Sequence, residues 1–303
     1  MLLGAPVAMA GEAQSWLARM TEAAGKQSFH GAFVYERTGS FTTHEIWRQV
    51  GEDTTTERLV QTDGEYQEWL RRNGKLVCST SGGPVIASQE APQTIKQPEL
   101  LEEWYELQVL GATRVASRPV TVVAVRPRDS HRYAYEFYLD SDTGLLLKSL
   151  MVNERQALLE RFQFATFSLD PAASGQVAAG NACLELTAAQ AESMVPDSQW
   201  QPAWLPPGFA EGQQAQLINE GDGQVVSQVY TDGLARFTLF IESLSEEHQA
   251  EDLRAQLGPT VAVSRRLNLA EGLFLATVVG EIPPATAERI VGSLLPEQGL
   301  QAP

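Results

Sequence analysis

The sequence is poor in the residues that most chemistry requires. It has four histidines, His30, His44, His131 and His248, and none lies at a metal-ligand spacing from another. No G-x-S-x-G elbow, H-E-x-x-H helix, Walker A loop or G-x-G-x-x-G turn is present. The adjacent acids Glu102–Glu103 and Glu246–Glu247 fall in stretches that read as helix, where neighbours diverge and serve as solvated faces. These gaps predict a binding protein, with no catalytic residue, no metal and no cofactor. Basic charge is also scarce, with 22 Lys/Arg against 38 Asp/Glu and a net charge of −16. Wholesale nucleic-acid binding is therefore not expected, because phosphate neutralisation needs a basic surface. No run approaches the ~20 apolar residues that a membrane helix requires. Cysteine is limited to Cys78 and Cys183, 105 positions apart. They either pair or lie as separate buried thiols, and the distance favours separate thiols in different domains.

What is present is strand grammar. Residues 12–25 form a helical pattern through Trp16, Leu17, Met20 and Ala24, ended by Gly25. Short β-rich runs follow at 31–37, 42–50, 54–62, 65–71 and 75–80, punctuated by Gly39, Gly51, Asp63-Gly64 and Asn73-Gly74. Centring the first hairpin on Gly39-Ser40 would set Phe33 opposite Ile46 and Tyr35 opposite His44, with Ala32 opposite Trp47 behind them. Large apolar groups then occupy both faces, so something covers the second face or binds there. Residues 81–98 read as a long loop and 99–106 as a short helix. Strands resume at 107–116, 119–127, 131–140, 144–152 and 156–168. In the third, Tyr133, Tyr135, Phe137 and Leu139 share one face, with Arg132, Ala134, Glu136 and Tyr138 on the other. Asp140-Ser-Asp-Thr-Gly144 reads as a hydrogen-bonded turn rather than a calcium loop.

The division into domains follows from texture. Residues 171–182 are small and nearly uncharged, and serve as the expected linker between a domain at 11–170 and one at 183–303. The second half carries 5 Lys/Arg against 16 Asp/Glu. It reads as strands at 212–218, 224–231, 235–243, 260–267 and 272–280, a helix at 246–257, and a closing helix from Pro284 with Ala287, Ile290, Val291, Leu294 and Leu295 as its stripe. The fold class is α+β: an N-terminal unclosed antiparallel barrel wrapping helices, then a smaller antiparallel sheet with a helix.

Two features suggest binding. Phe33, Tyr35, Trp47, Trp69, Trp104, Tyr105, Tyr133, Tyr135 and Phe137 all fall in the barrel-like half. Core packing accounts for most of them, and an apolar cavity in a half-open barrel is the alternative. Arg114, Arg118, Arg126, Arg128 and Arg132 cluster within nineteen positions with Asp129 the only acid. They suit either a charged strand edge or the anionic head groups of an amphiphile.

Four stretches carry a family resemblance: RDSHRYAYEFYLDSDTGLLLKSLMVNERQALLERFQFATF (128–167), PAWLPPGF (202–209), VYTDGLARFTLFIE (229–242) and TVVGEIPPATAERI (277–290). Together they resemble the RseB/MucB family of periplasmic regulators of envelope-stress sigma factors. The resemblance implies an N-terminal domain like the lipoprotein carriers LolA and LolB, and a C-terminal domain that grips the periplasmic part of an anti-sigma factor of the RseA or MucA type. It implies protection of that partner from a regulatory protease, release by lipopolysaccharide or related lipid, self-association into homodimers, and a periplasmic location. The small apolar start with Ala8-Met9-Ala10 fits the remnant of an export signal. A cysteine that some members carry at the position of Val120 is absent. The rival expectation is a Lol-type lipid or lipoprotein carrier, and WLPPGF and VVGEIPP in the second domain argue against it.

Overall fold

The computed structural model describes residues 6–80, 95, 98–170, 177–185, 193–194, 200–220, 223–244, 252–269 and 272–296. It divides into two compact units, Met1–Arg126 with Ala134–Ala189, and Pro127–Tyr133 with Gln190–Pro303. Both are built on antiparallel sheets with few helices, as the strand grammar predicted.

The first unit starts with α1 (Pro6–Lys26), followed by β1 (Phe29–Arg37), β2 (Ser40–Val50), β3 (Thr55–Gln61), β4 (Gln67–Arg72) and β5 (Lys75–Ser79). After the single turn α2 (Leu101–Trp104) come β6 (Tyr105–Val115), β7 (Arg118–Pro127), β8 (Ala134–Asp140), β9 (Leu146–Val152), β10 (Leu158–Ser168) and the short β11 (Leu184–Glu185). They form one eleven-stranded sheet in the order β11-β5-β4-β3-β2-β1-β10-β9-β8-β7-β6, with β11 and β6 at its two ends among the described residues. Ala13, Leu17, Met20 and Ala24 recur at helical spacing and are at most 6% exposed. Each large side chain of such a stripe stabilises by roughly 1.5–3 kcal/mol on burial. Trp16 is half-buried instead, under the Arg19 guanidinium at 4.2 Å. The same Arg19 donates to the carbonyls of Ser141 (3.3 Å) and Asp142 (3.2 Å), which fixes α1 against the β8–β9 turn. Gly144, at φ +84°, lets the helix approach, since a Cβ there would lie 3.1 Å from the Arg19 carbonyl oxygen.

The first hairpin corrects the expected register. Arg37 pairs with Ser40, so the loop is Thr38-Gly39, and Gly39 takes φ +81° at its second position rather than its first. Phe33 meets His44, Gly31 meets Ile46 and Tyr35 meets Thr42. Because the shift is by an even count, the faces are preserved: Phe33, His44 and Ile46 remain together and are buried. On the other face Arg58 covers the Trp47 ring at 5.1 Å.

The cysteines are a second correction. Cys78 and Cys183 form a disulfide, with Cα atoms 5.5 Å apart. Residues 177–185 fold back onto the first sheet, where Leu184 pairs with Ser79 and Glu185 with Cys78. The described end of the expected linker is therefore a strap belonging to the first unit, and Cys183 does not open the second. The loop at 81–98 and residues 171–176 lie outside the described residues, apart from Ile95 and Pro98.

The second unit contains β12 (Ser193–Met194), β13 (Trp200–Pro202), β14 (Ala210–Glu220), β15 (Gly223–Thr231), β16 (Arg236–Leu244), β17 (Leu253–Leu257), β18 (Thr260–Leu269), β19 (Gly272–Gly280), α3 (Pro284–Gly292) and β20 (Leu294–Pro296). The main sheet runs β12-β14-β15-β16-β19-β18-β17, and β13 pairs with β20. Ala287, Ile290 and Val291 of α3 join Phe237, Leu239, Ile241, Val261, Val263, Ala276 and Val278 in one core. Pro284 occupies the first helical turn, as expected. The helix expected at 246–257 is overturned in its last part. Residues 253–257 are β17, paired with β18 from Leu253–Ser264 to Leu257–Thr260, while 245–251 lie outside the described residues.

Candidate functional site

Four strands of the first sheet put one residue each in a lateral row. Val122 of β7 pairs with Tyr138 of β8, Tyr138 with Lys148 of β9, and Lys148 with Gln163 of β10. Directly paired residues share a face, so this row lies opposite Tyr135 and Phe137. Leu110 to Val115 of β6 form a facing wall, and Glu136 completes a cleft of about 450 Å³. Since β6 stands four strands from β10, the strands between them must curl to line one cleft. That curl is the incomplete barrel closure expected from the sequence.

Lys148 Nζ stands 4.4 Å from the centre of the Tyr138 ring. Burial, reinforced by Arg161, pulls the Lys148 ammonium below its ordinary pKa, against the pull of Glu136. Tyr138 donates its hydroxyl to Glu136 Oε2 at 2.9 Å. Burial first, then Glu136, pushes that hydroxyl up to about 12. Arg161 meets Glu36 at 3.5 Å, and no carboxylate forms an ion pair with Lys148 among the described residues. The cleft therefore offers cation, amide and hydroxyl groups for holding a polar ligand. It has no nucleophile set beside a base, and no group of three His, Cys, Asp or Glu is placed to hold a metal among the described residues.

Of the expected head-group arginines, only Arg114 lines this cleft, where its guanidinium also donates to the Ser117 carbonyl at 2.6 Å. Arg118 is committed to Asp140 (3.1 Å) and Asp142 (3.4 Å). Asp140 is fully buried. Burial alone would raise its carboxyl, but Arg118 and the Thr143 donors more than offset this and hold it low. Arg126 donates to Gln108 at 2.8 Å and is exposed. Arg128 is exposed in the second unit. Arg132 is wholly buried there, 3.3 Å from Asp232 and 3.3 Å from Asp129, and donates to the Pro207 carbonyl. The five do not form a single rim, because two of them neutralise buried carboxylates.

The aromatic candidates are dispersed in the same way, and none of the nine lines the cleft. Phe33 stacks on His44 at 5.1 Å and meets Phe162 at 4.8 Å, with Trp69 beyond the imidazole at 6.3 Å. Tyr35 donates to Glu160 at 2.6 Å. Trp47 lies beneath Arg58, Trp104 is half-buried at the end of α2, and Tyr105 is fully buried. Tyr135 and Phe137 stack at 5.5 Å in the core. Tyr133 belongs to the second unit, where its hydroxyl donates to the Ile282 carbonyl at 3.1 Å. Sequence reasoning missed Lys148, Gln163, Glu136 and Tyr138 as a site. The usable signal was one lysine inside the apolar run LLLKSLM, on a strand where every alternate residue is buried.

Comparison with known proteins covers both units. The family described as the MucB/RseB N-terminal domain matches residues 12–197, and the MucB/RseB C-terminal domain matches 194–295. The chain is 44% identical over 305 residues to the sigma factor AlgU regulatory protein MucB of Pseudomonas aeruginosa, covering 99% of this chain and 96% of that protein. It is 28% identical over 290 residues to the sigma-E factor regulatory protein RseB of Haemophilus influenzae, covering 92% and 90%. Among solved structures, MucB in complex with MucA(peri) aligns with a TM-score of 0.79 at 44% identity, over 95% of this chain and 100% of that one. The Pseudomonas aeruginosa MucA/MucB complex aligns with a TM-score of 0.80 at 43% identity, over the same shares.

Proposed function

The chain belongs to the MucB/RseB family, and from that premise we propose that it is a regulatory binding protein, not an enzyme, whose partner is the periplasmic domain of a membrane anti-sigma factor of the MucA type. The observation that carries this reading is the match over 95% of the chain to a protein solved with MucA(peri). In this reading the protein works in the periplasm as a homodimer, after removal of an export signal. Its second unit holds the anti-sigma segment and keeps a regulatory protease from cutting it. Lipopolysaccharide or a related lipid engages the first unit and releases the partner. Ion pairing of Arg118 and Arg132 leaves three of the five arginines exposed, of which Arg114 and Arg126 belong to the first unit and serve there as head-group contacts, while Arg128 belongs to the second.

The physical device is linkage. A lipid that prefers the partner-free protein weakens partner binding by the same factor by which the partner weakens lipid binding. A protection assay tests the whole reading. Adding the protein should stop cleavage of the MucA periplasmic domain by its regulatory protease, and added lipopolysaccharide should restore cutting. Cleavage at an unchanged rate with the protein in excess would refute partner protection. Protection that no lipid reverses would refute the release step alone.

A further inference from the structure

The cleft beside β6 has two properties that the anti-sigma reading leaves unused. The first is a terminal strand of the sheet. β6 ends the sheet order, so its outer side has no partner strand among the described residues. Leu110 to Arg114 are all exposed, Leu110 at 43%, and residues 109–113 (VLGAT) carry no charge and no proline. Sheet edges are normally blunted by lysine, proline or a cover, because an unpaired backbone recruits another strand. Gly111, at φ +136°, has open space where a Cβ would stand, so a second backbone can come close.

The second property is a cation that forms no ion pair among the described residues. Lys148 lines the same cleft, resting on the Tyr138 ring; Glu136 attracts it from beyond ion-pair distance, and no carboxylate of the described residues pairs with it directly. Arg114, the lipid-contact candidate named above, adds a second positive group on the β6 wall, so two cations face the single carboxylate of the lining, Glu136, which also accepts from the Tyr138 hydroxyl. A half-buried ammonium on a protein of net charge −16 is an address for a negative group brought in from outside.

We propose that the outer edge of β6 and the adjoining cleft form a docking site for an extended, acid-bearing segment of a second protein, added as a strand along Leu110–Arg114 with a carboxylate reaching Lys148. Backbone pairing supplies affinity and the lysine supplies selectivity, the division of labour general to strand addition. The site is separate from the anti-sigma grip, which the reading above places on the second unit.

The test is a random nonapeptide display selection against the full-length protein, followed by affinity measurements on the recovered peptides. Enrichment of one Asp or Glu among β-branched residues is expected. Changing that acid to its amide should weaken binding about tenfold, Lys148→Gln should do the same, and the two together should cost no more than either, as for a coupled pair. N-methylation of the peptide on its pairing side should abolish binding. The MucA periplasmic domain should neither displace these peptides nor lose affinity for the Lys148→Gln protein. Peptides without acid enrichment, or indifferent to Lys148→Gln, would overturn the inference. Displacement by MucA together with its loss on Lys148→Gln would reassign the site to the anti-sigma segment. Displacement by phosphatidylglycerol vesicles, lost on Lys148→Gln, would make it a lipid head-group site.

Discussion

Both units bury carboxylates, and Glu68 of the first and Asp232 of the second are neutralised by different means. In the first unit Glu68 is fully buried and accepts from Arg58 Nε (2.8 Å), the Tyr66 hydroxyl (2.8 Å) and the Gly180 amide (2.7 Å). Burial alone would raise its carboxyl, yet these donors more than offset it and hold the group below its ordinary value. Arg58 and Tyr66 come from the same meander, and Gly180 from the strap closed by the disulfide. In the second unit Asp232 faces Arg132, and neither side chain has any exposure. That arginine comes from Pro127–Tyr133, a heptapeptide that interrupts the first unit in sequence and is lodged in the second. One unit is stapled from its own end; the other is completed by a borrowed segment.

The largest expected effect sharpens this contrast. Arg132→Met removes the cation and leaves the buried Asp232 carboxylate, which accepts from the Leu234 and Ala235 amides at 2.9 and 2.7 Å, without its guanidinium. Removing one member of a buried pair costs about 3–5 kcal/mol. Scanning calorimetry should show the transition of the second unit moving down while that of the first stays in place. The double change Arg132→Met with Asp232→Leu should recover much of the loss. A single unchanged transition for Arg132→Met would break the comparison.

Next comes the staple. Reduction of Cys78–Cys183, or a Cys78→Ala/Cys183→Ala protein, frees a loop that spans a sequence separation of 105. Loss of about 2–4 kcal/mol from the first unit is expected, chiefly because the unfolded chain gains freedom. Denaturant unfolding with and without reductant reads it, and the second unit is the internal control. An equal shift in both transitions would mean that the strap is not private to the first unit.

What was legible in the sequence follows the range of the interactions involved. Turn residues and alternation are local, and so the strands between Gly31 and Ser168, and the helix from Pro284, stand within a few residues of their expected places. The partner of Cys78 depends on where the chain returns after a segment whose composition is only small and nearly uncharged, so spacing alone favours separate thiols. The assignment of Arg132 and Tyr133 failed for a related reason. They continue the alternation of β8 without a break, and nothing local marks that Pro127–Tyr133 enters the other core. The basic cluster looked like a surface feature because sequence proximity hides which acids will be buried. Asp140 and Asp232 claimed two of its members. The helix expected at 246–257 gives way at 253–257 to the pairing of β17 with β18, a tertiary contact that no local pattern announces. The cleft was half legible, since Glu136 and Tyr138 were placed on the correct face. Lys148 and Gln163 become their neighbours only through the β8–β9–β10 register.

The smallest expected effect separates the two cores by pH. His44 is 2% exposed in the first unit, stacked on Phe33, with Nε2 2.9 Å from Thr42 Oγ1. Burial lowers its pKa from the ordinary 6.5, and the pull of Asp63 in the other direction does not cancel this. The unfolded chain therefore binds a proton in a pH range where the folded chain does not. Stability from the neutral ring is fully present above pH 6.5 and declines as pH falls from there through the folded pKa. The first transition should drop with acidification across that window, and His44→Phe should flatten the dependence while the second transition follows its own course in both proteins. A wild-type slope unchanged by His44→Phe would place the acid-sensitive group elsewhere, and Glu68 would be next in line. Its lowered carboxyl also gives stability that is lost on acidification, but at lower pH than the imidazole.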